Sequence, residues 1–92
     1  HYVYLGQAEL ALGHWREAAA AYKKAAQAKN VDRPGNLQMM IGNALYNDKQ
    51  YAEAKAAFQS ALQYQDTVKD AATWVNFMDK EIQRTKALER AS

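Results

Sequence analysis

The chain has 92 residues, no cysteine, and a formal net charge of +2, with 12 Lys and Arg against 10 Asp and Glu. That length holds one small domain. The absence of thiols excludes disulfides and cysteine metal sites, and the interleaved charges give no single-sign field of the kind that captures nucleic acid or an anionic membrane.

No apolar run approaches the roughly 20 residues of a membrane-spanning helix, so no direct membrane insertion is expected. With no visible leader and His1 in first place, the sequence reads as a fragment of a longer protein, 1–92 forming a single domain. Four glycines and one proline interrupt a chain rich in Ala, Lys, Gln and Leu, and no stretch alternates as a strand does. The expected fold is all-α.

Taken in order, Tyr2, Leu5, Ala8 and Leu12 are spaced as the inner face of a first helix over residues 1–12, closed by Gly13 as its C-terminal cap. From Trp15, apolar side chains recur at Ala18, Ala19, Tyr22, Ala25 and Ala26, the pattern of a second helix folding back on the first. Asn30 to Asn36 gathers Asn, Asp, Pro and Gly into a loop. Leu37, Met40, Ile41, Ala44 and Leu45 then form a third helix, Asn47 to Lys49 a tight turn, and Tyr51, Ala54, Phe58, Ala61 and Leu62 a fourth. Thr67 and Asp70 have capping-box spacing, placing the start of a long final helix near Val68, with Arg84, Lys86 and Arg90 toward its C-terminal end.

The chain repeats itself. Leu5 to Ala26 and Ile41 to Leu62 align at a displacement of 36, with Gly6 on Gly42, Ala8 on Ala44, Trp15 on Tyr51, Glu17 on Glu53, Ala18 on Ala54 and Tyr22 on Phe58. The same displacement reaches Trp74, Phe77 and Ile82, and then fails where Met78 replaces the glycine. The units are 1–29, 36–65 and a terminal helix 67–91 that lacks a second partner. A glycine inside a helix costs about 1 kcal/mol relative to alanine. Gly6 and Gly42 therefore suggest close helix approach, with Ala18 and Ala54 as the small facing surface and Trp15, Tyr22, Tyr51 and Phe58 filling the wider gaps.

Leu5, Gly6, Gly13, Trp15, Ala18, Tyr22 and Ala25, and again Ile41, Gly42, Leu45, Tyr51, Ala54, Phe58 and Ala61, resemble the tetratricopeptide repeat, whose pattern is W-x2-L-G-x2-Y followed by A-x3-F and a later P. Departures are Glu9 in place of an aromatic residue, Gln38 in place of tryptophan, and two extra residues per period. The resemblance implies an α-α superhelix, a solenoid of two helix-turn-helix repeats plus a long C-terminal capping helix. It also implies a scaffold that holds a peptide or partner protein in a concave groove lined by the first helix of each pair. Carried over by position, that groove contains Val3, Gln7, Leu10, Asn36, Met39, Asn43, Tyr46, Asn47 and Asp79. The basic clamp that grips chaperone tails in this family is absent, its positions being Val3, Gln7, Ala72 and Asn76. Trp74 to Arg84, WVNFMDKEIQR, is similar to the closing segment of bacterial tetratricopeptide proteins associated with the TonB system, which implies a periplasmic or cell-envelope setting.

Asn43 and Asn47 are thus candidates to bond a ligand backbone, or ordinary solvated amides; Met39 and Met40 are an apolar patch or core filler. No acid–base pair or nucleophile constellation is evident, so neither catalysis nor a cofactor is expected, and His1 and His14 have no metal-ligand spacing. The alternative to a peptide-binding scaffold is the structural end of a longer array. Its N-terminal edge, with Tyr2, Tyr4 and Leu5, would pack on a neighbour or form a homo-oligomer.

Overall fold

The computed structural model describes residues 2–28 and 31–91, with side chains from Leu5 onward. The expectations for Val3, for Tyr2 and Tyr4 as edge residues, and for Asn30 fall outside the described residues. Five helices account for most of the rest: α1 Tyr2–Ala11, α2 Trp15–Ala26, α3 Pro34–Asn47, α4 Tyr51–Ala61 and α5 Val68–Ala91. There is no strand among the described residues. Each helix packs mainly on its neighbours in the chain, α1 on α2, α2 on α3, α3 on α4 and α4 on α5. The result is a slab of 46 × 30 × 18 Å.

The two turns that fold α2 onto α1 and α4 onto α3 match bond for bond at the displacement of 36. In the first, the Gly13 N–H donates to the Leu10 carbonyl (3.0 Å) and the His14 N–H to the Glu9 carbonyl (2.8 Å). In the second, Lys49 donates to Tyr46 (2.9 Å) and Gln50 to Leu45 (2.9 Å). These paired bonds satisfy the last carbonyls of each helix and define a Schellman end, which requires one residue in the left-handed region. Gly13 takes it at φ 77° and Lys49 at φ 63°. Glycine meets that demand without strain, whereas a Cβ there costs about 1 kcal/mol.

Inside each hairpin an aromatic ring lies over the helical glycine of the facing helix. A Cβ built on Gly6 would stand 2.5 Å from Tyr22 Cε1, and one on Gly42 2.6 Å from Phe58 Cε1. Both rings are fully buried. The close approach expected of the glycines is therefore real, but its partner is the ring at Tyr22 or Phe58, not the alanine at 18 or 54. Those alanines are buried beside it. Burying an aromatic side chain contributes about 1.5–3 kcal/mol, which exceeds the glycine's helix penalty of about 1 kcal/mol.

Three details go beyond or differ from the sequence reading. The inner face of α1 is Gly6 and Leu10, since Leu5 and Leu12 are largely exposed; the ring of Tyr22 fixes which side of α1 turns inward. The loop before α3 ends at Arg33, because Pro34 sits at the first helical position, where its missing N–H is not needed. The second unit therefore starts two residues before Asn36, which lies in the first turn of the helix. Third, α5 begins at Val68 as the capping-box spacing predicts, but the buried Thr67 hydroxyl donates to the Ala61 carbonyl at 2.8 Å, tying the end of α4 to the start of α5.

At the glycine position of the third unit, Met78 is completely buried. The methionine itself occupies core space there.

Two measurements test this packing. Gly42→Ala should lower stability in urea by about 1–3 kcal/mol even though alanine is the better helix former, because the new Cβ would stand 2.6 Å from the Phe58 ring and force it off its stack on Trp74. Combining it with Phe58→Leu should cost less than the sum of the two changes. Lys49→Gly should raise stability by about 0.5–1 kcal/mol, and a loss would contradict the left-handed turn.

Candidate functional site

The face shared by α3 and α5 carries an aromatic cluster assembled from three helices. Tyr46 stands 5.8 Å from Trp74, 5.5 Å from Phe77 and 5.8 Å from Tyr51 between ring centroids. Trp74 and Phe77 meet edge to face at 5.7 Å, and Trp74 stacks on the buried Phe58 at 5.3 Å with an interplanar angle of 16°. Offset and edge-on pairs of this kind add about 0.5–1.5 kcal/mol each beyond their burial. Phe77 emerges from the cluster 37% exposed.

Beside it lies a pocket of about 230 Å³ lined by Met39, Met40, Asn43, Phe58 and Trp74. Its floor is apolar and its rim carries one amide, that of the exposed Asn43. One turn on, the Asn47 amide donates to the Asn43 main-chain carbonyl at 2.8 Å and, at 3.5 Å, to the Asn43 side-chain oxygen, which leaves the NH2 group of the exposed Asn43 side chain for a ligand.

Of the nine groove positions expected from the sequence, the eight with described side chains divide accordingly. Met39 and Asn43 line this pocket, and Tyr46 belongs to the neighbouring ring cluster. Asn47 is exposed and bonds its own helix. Asn36 is exposed, its amide 3.7 Å from the Met40 sulfur. Gln7 is exposed on α1 away from the pocket, and Leu10 packs against the core. Asp79 pairs with Lys55 of α4 at 2.6 Å, an inter-helix tie. The sequence reading missed Phe58, Trp74 and Phe77 as parts of this face, having assigned Phe58 to packing. The available signal was the pair of large aromatic residues Trp74 and Phe77 at i, i+3 on one helix.

A second grouping lies at the α1–α2 turn. His14 Nδ1 stands 2.7 Å from Glu9 Oε2, and one ligand atom from each of Glu9, His14 and Glu17 lies within 4.8 Å of the others. The expectation that His14 has no metal-ligand spacing is thereby corrected. Counting along a single helix hides the trio, because the Schellman turn brings position 9 against position 14, and Glu17 follows on the first turn of α2. No described helix is long and apolar enough to cross a membrane.

In the core, the Tyr22 hydroxyl has no hydrogen-bond partner among the described residues, and burial pushes its phenol above the ordinary value of 10.0. Comparison with known protein families, with curated proteins and with solved structures gives no match. The geometry of these surfaces is therefore what a functional reading rests on.

Tyr22→Phe, which installs the residue of the second copy, should leave stability unchanged or raise it by up to about 2 kcal/mol by removing a buried, unpaired hydroxyl. The sign of the pH effect follows from the raised phenol: the folded state holds the proton more tightly, so its contribution is intact below the ordinary value of 10.0 and is lost as the pH rises through the folded pKa. Alkaline melts of the wild type should show a loss that Tyr22→Phe lacks.

Proposed function

We propose that this chain is a tetratricopeptide-type repeat module that binds a peptide or protein segment on the face made by its first-type helices, α3 and α5. The observation that carries the reading is the pocket of Met39, Met40, Asn43, Phe58 and Trp74 beside the Tyr46–Trp74–Phe77 cluster. A flexible thioether floor, rigid aromatic walls and one amide on the rim suit an apolar side chain of a ligand whose backbone bonds the Asn43 amide. The matching turns and the two ring-on-glycine contacts support the repeat assignment, since they recur at the displacement that the sequence sets. In this reading α5 supplies one wall of the groove, and the module acts as a scaffold without catalytic chemistry.

A second reading concerns the opposite edge. The residues Ile41, Leu45, Glu53, Ala56, Ala57 and Ser60 line the crevice against α2, and displaced by 36 they become Leu5, Glu9, Glu17, Ala20, Ala21 and Lys24, which line a shallow depression on the outer side of α1 and α2. That edge is thus built to the plan of an internal helix interface, which favours docking of one more helix. In a second copy of the chain, α2 and α4 are already covered by α3 and α5. The docking helix is therefore assigned to another polypeptide segment, and the homo-oligomer is the weaker form of this reading.

Panning a displayed random-peptide library against the full chain tests the first reading. Selected peptides should share a bulky apolar residue, and Asn43→Ala and Met39→Lys should each weaken their binding at least about tenfold, equivalent to about 1.4 kcal/mol. Selection of no peptide, or of peptides that bind both variants as well as wild type, would sink it. Sedimentation of the chain at high concentration addresses the second: a monomer is expected, and self-association abolished by Ala21→Glu would restore the homo-oligomer.

A further inference from the structure

We propose that Glu9, His14 and Glu17 form a binding site for a divalent transition-metal cation of the Zn²⁺ class at the α1–α2 turn. The first argument is the donor set. The imidazole is a borderline nitrogen donor among two hard carboxylates, a mixed set found on zinc and its neighbours, whereas calcium and magnesium take all-oxygen sites. Three protein ligands leave a tetrahedral ion one position for water or for a group on a partner.

The second argument is the backbone. In a Schellman turn the third residue from the helix end and the second residue beyond it are brought side by side, a place commonly filled by an apolar contact. Here those two positions are Glu9 and His14, fixed by the His14 N–H bond to the Glu9 carbonyl at 2.8 Å and by the left-handed Gly13. The His14 carbonyl in turn accepts the Ala18 N–H at 2.9 Å, which begins α2 and sets Glu17 one turn above the histidine. Two of the ligand atoms are already 2.7 Å apart. Coordination at bonds of about 2.0–2.2 Å asks the His14–Glu9 hydrogen bond to open by a few tenths of an ångström as the ion replaces its proton, and the exposed Glu17 carboxylate to swing inward from within 4.8 Å.

The third argument comes from the repeat itself. The same backbone turn recurs in the second hairpin, where the residues at these three positions are Leu45, Gln50 and Glu53. Leu45 is buried in the core there. The first turn thus carries a carboxylate and an imidazole where its copy carries a leucine and a glutamine, so the fold does not need them. The Glu9 side chain, 25% exposed, is held beside the His14 ring on the side of the hairpin that no described helix covers, so an ion can reach both donors.

The second turn supplies variants that leave the fold intact. His14→Gln and Glu9→Leu reproduce residues that this backbone already holds. Isothermal titration of the full chain with Zn²⁺ at neutral pH should give one saturable site per chain, with His14 ring resonances shifting in step. His14→Gln, Glu9→Leu and Glu17→Gln should each weaken binding by more than about tenfold while the circular dichroism and melting profile stay as in wild type. Ca²⁺ should not compete. Absence of saturable Zn²⁺ binding overturns the proposal, and so does binding that survives His14→Gln, since the ion would then be held elsewhere, for instance by His1.

Discussion

Everything in this molecule depends on a ring laid against a helical glycine. The contact is made twice, Tyr22 on Gly6 and Phe58 on Gly42, and in each hairpin it sets the separation, rotation and register of two helices at once. The glycine is a poor helix former, and the ring would be a poor surface residue. Together they gain more than either gives up, because a buried aromatic outweighs the lost propensity by about 1 kcal/mol or more. The alanines around them, Ala18, Ala19 and Ala54, then let the neighbouring helix come close. Helices without strong individual signals become a stack through this one device.

The candidate face forms where the glycine of the repeat is replaced. Met78 fills the third glycine position and is buried, and Trp74 and Phe77 on the same helix meet Tyr46 and Phe58. The aromatic cluster and the pocket beside it therefore lie at the helix where the ring-on-glycine contact gives way to a methionine in the core.

Much of the fold was legible in the sequence because its signals are local. The repeat displacement, Gly13 as a helix end, Trp15 and Tyr51 as helix starts, and Val68 after Thr67 all rest on residues within a turn of one another. What escaped was set across helices. The periodicity of α1 permits either Leu5 or Leu10 to face inward, and only the position of Tyr22 decides for Leu10. Asp79 read as a groove residue because its helix position is right, yet its carboxylate is drawn to Lys55 on another helix. Glu9, His14 and Glu17 were invisible as a group because a left-handed residue folds the chain between them. Side-chain partners chosen by a turn or by a neighbouring helix leave no periodic trace.

The order of packing, each helix chiefly against the next, bears also on how the chain acquires its structure. Contacts between neighbours in sequence close short loops, so little entropy is spent before packing begins, and such topologies fold fast. Two hairpins with the same internal contact offer two equivalent places to start. Folding then spreads along the chain one helix at a time, in the manner of a one-dimensional lattice, and has no single obligatory nucleus. In such a chain cooperativity resides in the junctions between units, so the contacts of α2 with α3 and of α4 with α5 decide whether it melts as one body or in stages.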